Sequence, residues 1–139
     1  MRSILVDAGP LIALFDRDDA HHDAIRDLLR RASGRLITTW PVLTETSHLL
    51  VFDVRAQVDF YGWVADGGVL VHDLPVAALE RITGLVEKDR DRPMDLADAT
   101  LVVAAETLGI TEIISIDRDL DIDRTADRAW FVNLCTARA

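Results

Sequence analysis

The sequence of 139 residues contains little cysteine, few aromatic residues and no long apolar run. Cys135 is the only cysteine, which excludes an internal disulfide and agrees with a reducing compartment. No apolar stretch approaches the roughly 18–20 residues that a membrane-spanning helix needs. The apolar run at residues 4–6 is shorter than the core of a signal peptide, which has about 7–15 residues. We therefore expect a cytoplasmic protein with no membrane segment.

Basic residues are also fewer than acidic ones: the sequence has 15 lysines and arginines and 24 acidic residues, which gives a formal net charge of −9. An acidic surface repels phosphate backbones at long range, which argues against a protein that simply coats nucleic acid. Acids gathered around bound cations are a different case, because a metal ion inverts the local sign of the charge. The positions of the acids therefore matter more than their number.

Several phosphate-handling motifs are missing as well. The sequence has neither the glycine-rich turn of a dinucleotide site nor a Walker phosphate loop. A receiver domain needs a lysine after a late strand, but the only lysine is Lys88, within a predicted helix. A phosphatase of the Asp-x-Asp kind needs an acid at position 9, which is Gly9. These absences exclude the common nucleotide-binding and phospho-aspartate classes.

Apolar periodicity predicts strands that alternate with helices along the chain. Strands are predicted at residues 3–6, 35–38, 69–71, 112–116 and 129–132. Helices are predicted at residues 10–15, 21–32, 41–53, 55–65, 75–89 and 95–108. This alternation indicates an α/β fold, a three-layer sandwich with a central, mostly parallel sheet flanked by helices. The length and the absence of linkers or repeats predict one domain over residues 1–139.

Two acids directly follow predicted strands. Asp7 follows the first strand and Asp117 the fourth, and sites in parallel sheets form beyond the carboxyl ends of the strands. Asp7 alone would be read as a helix cap or turn residue. Arg118 separates Asp117 from Asp119 and can pair with either acid, so both remain candidates. The strand-end position favours Asp117.

Two further acids lie in apolar helices. Glu45 shares a helix face with Val42 and Leu49, although it could also be a helix-edge carboxylate that reaches water. Asp98 lies in the first turn of the most apolar helix, where an unpaired buried carboxylate costs several kcal/mol. No lysine or arginine lies within that helix. Asp95, one turn earlier, is interpreted first as an N-cap and second as a site member.

Carboxylates brought to about 4 Å from one another repel by roughly 4 kcal/mol per pair at an effective dielectric constant of 20. A fold would not gather four of them for stability alone. Mg²⁺ or Mn²⁺ would remove the penalty, because hard cations prefer oxygen ligands. Such sites carry out phosphoryl chemistry on an activated water. That the strand-end and helix acids converge is a hypothesis at this point.

Four stretches of the sequence resemble the acidic motifs of PIN domains. They are ILVDAGPLIALF at residues 4–15, LTET at 43–46, LADA at 96–99 and SIDRD at 115–119. Each motif is weak alone, but four in order cover essentially the whole chain. Ser115 stands where the family commonly has threonine and keeps the hydroxyl, whereas Leu120 stands where an aromatic residue is common.

The resemblance implies an endoribonuclease that depends on Mg²⁺ or Mn²⁺. It places the catalytic, metal-binding acids at Asp7, Glu45, Asp98 and Asp117, with Asp95, Asp119 and Ser115 as secondary candidates. A free-standing domain of this size is similar to the VapC toxins of toxin–antitoxin pairs, which implies an RNA substrate, a homodimer and an antitoxin partner. The apolar run at residues 49–54 would mark a dimer or antitoxin surface if part of it is exposed.

Two alternatives remain beside the toxin. One is a non-catalytic PIN-like scaffold that binds RNA or protein, and the other is a housekeeping RNA-processing nuclease. All four acidic positions of the family are filled, which favours the enzyme over the scaffold. Only a neighbouring antitoxin gene would separate the toxin from the housekeeping nuclease.

Overall fold

The core of the fold is a parallel sheet. A computed structural model describes residues 2–88, 90–91, 93–116 and 131–137. The strands are β1 Ser3–Val6, β2 Arg35–Thr39, β3 Leu70–His72, β4 Glu112–Ile114 and β5 Val132–Asn133. They lie in the order β3-β2-β1-β4-β5, and all four pairings are parallel. β1 is the central strand, with Leu5 between Ile37 and Ile113.

Helices cover both faces of this sheet. They are α1 Ala8–Phe15, α2 His22–Arg31, α3 Trp40–Leu49, α4 Val54–Ala65, α5 Leu79–Lys88, α6 Leu96–Leu108 and α7 Leu134–Ala137. A short 3-10 helix, Val76–Ala78, precedes α5. No helix in the described ranges is long and apolar enough to cross a membrane.

Two apolar clusters separate the helical layers from the sheet. Leu5 and Ile113 belong to the larger cluster, which includes most of the buried face of α6. Ile4 and Ile114 belong to the smaller cluster, with residues of α1 and α2. Successive strand residues point to opposite faces, so each strand contributes to both clusters. The predicted three-layer α/β sandwich is confirmed.

The most apolar helix is buried as predicted. α6 packs against α3, α5 and β2. The Asp95 side chain caps its N-terminus, and Gly109 ends it in the left-handed conformation at φ 69°. Because glycine carries no Cβ, it adopts this conformation without the steric cost that other residues meet.

The prediction of a helix over residues 41–53 was wrong about where the helix ends. α3 ends at Leu49, and a turn leads to Asp53. The Asp53 side chain accepts hydrogen bonds from the backbone N–H groups of Arg55 and Ala56, which starts α4. An aspartate in this position satisfies donors that a new helix leaves unpaired, so it favours a helix start over a continuation.

Other boundaries also differ from the predictions by one or a few residues, among them those of β4, β5 and α5. β4 ends at Ile114 instead of residue 116, and the backbone of Ser115 bonds to the side chain of Asn133. β5 covers Val132–Asn133, whereas residues 129–130 of the predicted strand lie outside the described residues. The helix predicted over 75–89 begins with the 3-10 turn, and residue 89 is also outside the described residues.

An exposed ion pair joins the start of β1 to the start of β4. The Arg2 guanidinium donates to both carboxylate oxygens of Glu112, at 2.6 and 2.5 Å. The hydrogen bonds from Arg2 lower the pKa of Glu112 below its usual value of 4.5. A lowered pKa in the folded state means that the stabilisation is present above pH 4.5 and is lost as the pH falls through the folded value.

We therefore expect Glu112→Gln to lower the melting temperature by at most a few degrees at pH 7, because exposed pairs contribute little. The difference in melting temperature between wild type and variant should disappear below pH 4.5, as measured by thermal unfolding from pH 7 to pH 3. A difference in melting temperature that stays constant over that range would contradict the assigned ion pair.

Candidate active site

Asp7 lies where β1 passes into α1. Its Oδ1 accepts a hydrogen bond from the backbone N–H of Ala8 at 2.8 Å, so the carboxylate caps α1. Its own backbone N–H donates to the carbonyl of Ile114, at 3.1 Å, which holds the residue beside β4. The side chain is 6% exposed. The N-terminus of a helix favours a negative charge, so this buried position is electrostatically suitable for a carboxylate.

Ser115 lies beside Asp7 at the end of β4. Its hydroxyl donates to Oδ2 of Asp7 at 3.1 Å, and the residue is almost completely buried. The two carboxylate oxygens of Asp7 therefore accept from two different elements, α1 and the segment after β4. A carboxylate held in this way has a fixed orientation, which a metal ligand or catalytic group requires.

Two acids lie at the N-terminus of α6. Oδ1 of Asp95 accepts from the backbone N–H of Asp98 at 2.8 Å, so the interpretation of Asp95 as a cap is confirmed. Asp95 is exposed and Asp98 is half-buried. The hydroxyl of Thr100 bonds to that of Thr39 at 2.7 Å, and both are buried. This bond ties the first turns of α6 to the end of β2.

Glu45 lies in α3, which begins directly after β2, and its side chain is half-buried. Val42, one turn earlier, is completely buried. Leu49, one turn later, is 47% exposed, so the apolar face that Glu45 shares with Val42 and Leu49 is buried at Val42 and open to solvent at Leu49. Leu49 lies on the exposed side of the last turn of α3, since Thr46 and Leu50 on either side of it are fully buried.

The topology brings part of the predicted set to one edge of the sheet, namely Asp7, Ser115 and the first turn of α6. The carboxyl ends of parallel strands share an edge, which places Asp7 and Ser115 together. α6 returns the chain to the start of β4, so its first turn, with Asp98, lies at that same edge. Asp117 and Asp119 lie outside the described residues. Among the residues that are described, no three acidic, histidine or cysteine side chains form a group that could hold a metal.

The chemistry of the donors at this edge suits a hard divalent cation. Asp7 and Asp98 offer carboxylate oxygens and Ser115 a hydroxyl, which are donors that Mg²⁺ and Mn²⁺ prefer, and Glu45 on α3 is a further carboxylate in the predicted set.

The polar residues that support this edge were not predicted from the sequence. Asn133 is buried, and its side chain bonds to both backbone groups of Ser115. The hydroxyl of Thr38 donates to the carbonyl of Val6, immediately before Asp7. The available signal was a polar side chain inside an apolar run, since a buried polar group requires a hydrogen-bond partner.

An apolar surface lies on α3, α4 and the turn between them. Its exposed side chains are Leu49, Val51, Phe52, Val54, Val58 and Tyr61. A groove of about 470 Å³ continues it, lined by side chains that include Trp40, Leu43 and Val64. Leu50 alone of the run at residues 49–52 is fully buried. Contiguous exposed apolar side chains of this kind are typical of surfaces that bind a protein partner.

A parallel α/β sandwich with acids at the carboxyl edge of its sheet is the architecture that the sequence motifs indicated. The family model of the PIN domain matches residues 4–127, and the chain belongs to the PIN domain family. Ribonuclease VapC26 of Mycobacterium tuberculosis (strain ATCC 25618 / H37Rv) is 25% identical over 117 residues, which cover 83% of this chain and 87% of that protein.

A solved structure is similar to this fold. The crystal structure of Mycobacterium tuberculosis VapC20, described as a toxin that cleaves the sarcin-ricin loop, matches with a TM-score of 0.78 and 24% identity. The match covers 93% of this chain and 98% of that one. The predicted resemblance to VapC-like PIN domains is confirmed.

Proposed function

We propose that the protein is an endoribonuclease that hydrolyses RNA phosphodiester bonds with Mg²⁺ or Mn²⁺ and is the toxin of a toxin–antitoxin pair. The observation that carries the proposal is the buried Asp7 carboxylate, held by Ala8 and by Ser115 at the carboxyl edge of the sheet. The name of the relative VapC26, a ribonuclease, supports the same reaction. The reaction would take place in the cytoplasm, which agrees with a single cysteine.

The residues proposed to hold the metal are Asp7, Glu45, Asp98 and Asp117. A bound divalent cation would activate water and stabilise the charge that develops on the phosphoryl group. The protein's own contribution is to orient the ligands. Ser115 fixes one oxygen of Asp7, and the start of α1 fixes the other. The Thr39–Thr100 bond holds the turn that carries Asp98.

The apolar surface on α3 and α4 supports a protein partner. We infer that the antitoxin, a second copy of the chain, or both cover its exposed side chains, such as Phe52, Val54 and Tyr61. An acidic site at the edge of the sheet would also attract a basic side chain from an antitoxin, which is a way to block RNA access.

Asp98→Asn tests the proposed reaction. The backbone bond from residue 98 to Asp95 does not use the substituted side chain, so the helix cap should survive. Loss of a direct metal ligand should reduce the cleavage rate by about 100-fold or more, since loss of groups behind the ligands already costs 10–100-fold. The measurement is cleavage of a mixed RNA substrate with Mn²⁺ or Mg²⁺, beside EDTA.

Asp53→Asn is the matched control, because it makes the same change in an exposed cap away from the site. It should cut at the wild-type rate. Equal cutting by wild type and Asp98→Asn would indicate a contaminating nuclease and overturn the site. No cutting by a folded wild type across mixed RNA would favour the non-catalytic scaffold.

A further inference from the structure

Asn133 makes an unusual set of contacts at the last strand of the sheet. Its Nδ2 donates to the carbonyl of Ser115 at 2.9 Å. Its Oδ1 accepts from the backbone N–H of Ser115 at 3.2 Å and from that of Cys135 at 3.1 Å. The side chain is 4% exposed. One amide therefore bonds to both backbone groups of Ser115 and also to the start of α7.

These contacts extend the sheet beyond the end of its backbone pairing. The register pairs Ile113 with Asn133, and after this residue the chain turns into α7. The backbone of β5 therefore leaves the sheet, and the Asn133 side chain bonds to Ser115, two residues beyond Ile113, as a further strand residue would. A primary amide carries the same donor and acceptor as a peptide group, so it can substitute for one.

A continuous series of hydrogen bonds runs from Asn133 to Asp7. Asn133 holds the backbone of Ser115, and the hydroxyl of Ser115 donates to Oδ2 of Asp7. We propose that Asn133 is a positioning residue of the active site: by fixing the backbone at Ser115, it orients the Asp7 carboxylate. This inference rests on the proposed nuclease function.

Ser115 depends on Asn133 because it follows the end of β4 and lies outside the regular backbone pairing of the sheet. Its buried backbone groups would otherwise need other partners, and unsatisfied buried groups are avoided by a shift of the chain. A small rotation at Ser115 would redirect its hydroxyl away from Asp7. Groups that orient metal ligands affect metal affinity and turnover while they touch neither metal nor substrate.

Two substitutions isolate the bonds to Ser115. Asn133→Ser can still cap α7 but does not reach the Ser115 backbone, and Asn133→Leu keeps the volume but removes every amide bond. Both should weaken Mn²⁺ binding to the RNA-free protein by about 10-fold and lower kcat by about 10–100-fold. KM for RNA should change little, because the buried Asn133 side chain is not available to bind RNA. Mn²⁺ binding is measured by electron paramagnetic resonance of the free ion.

Ile82→Val and Leu85→Ala serve as controls, since they remove buried groups of α5 and span a range of stability losses. If the Asn133 variants bind Mn²⁺ and turn over like the wild type, the positioning role is overturned while the nuclease stands. The positioning role is also overturned if, in all four variants, the losses in Mn²⁺ affinity and kcat depend in the same way on the loss in melting temperature. A wild type that neither binds Mn²⁺ nor cuts RNA overturns the proposed function and this inference with it.

Discussion

Asp7→Asn should reduce metal-dependent RNA cleavage by about 100-fold or more, while leaving the folded structure intact. Asparagine keeps an oxygen that can accept from the Ala8 N–H, and it caps helices as well as aspartate does. It removes the negative charge that the proposed cation needs. The rate is measured at saturating Mn²⁺ with the same RNA for both proteins.

Thermal unfolding gives a second readout for Asp7→Asn. Without metal, the variant should be about as stable as the wild type, because the asparagine oxygen can keep the bond from the Ala8 N–H that caps α1. Added Mn²⁺ should raise the melting temperature of the wild type more than that of the variant, since a ligand that binds only the folded state stabilises it. Asp53→Asn, another capping aspartate, should match the wild type in both assays. A variant that keeps the full Mn²⁺-induced shift would show that Asp7 is only a cap.

Much of the fold could be predicted from apolar patterns. The runs before Asp7 and around Ile113 are short, apolar and β-branched, as expected of strands buried on both faces of a sheet. The rule that sites form at the carboxyl ends of parallel strands led from those strands to Asp7. The capping role of Asp95 followed from its position before an apolar helix. These features depend on residues that are close together in the sequence, so a single sequence is enough to predict them.

The parts that could not be predicted depend on long-range contacts. Asn133 and Ser115 are 18 residues apart, and no local pattern pairs a side-chain amide with a distant backbone. The end of α3 was missed because Leu50 and its neighbours are apolar enough to continue a helix. The Asp53 cap, which competes with that continuation, is decisive only once α4 packs. The exposure of Leu49 likewise depends on which parts of α3 the neighbouring helices cover, and this is a long-range contact.

Gly34→Ala is expected to destabilise the protein by about 2–4 kcal/mol, which makes it the largest stability effect expected here. Gly34 has a φ of 140°, a conformation that side chains with a Cβ rarely adopt. A Cβ at this position would lie 2.5 Å from the carbonyl oxygen of Arg2. That oxygen accepts from the backbone N–H of Arg35 at 2.7 Å, where β2 begins beside β1. Relief of the clash would therefore disturb the pairing of β2 with the central strand β1.

Gly84→Ala is the matched control for Gly34→Ala. Gly84 lies within α5, and a Cβ there would meet nothing within 4 Å. Alanine should stabilise the helix by about 0.5–1 kcal/mol, because glycine loses more backbone freedom when it becomes helical. The two substitutions, identical in chemistry, should thus shift the urea midpoint in opposite directions. A Gly34→Ala variant as stable as the wild type would mean that the chain before β2 can move away from Arg2, and that the close approach of Gly34 to β1 is not required for the sheet to form.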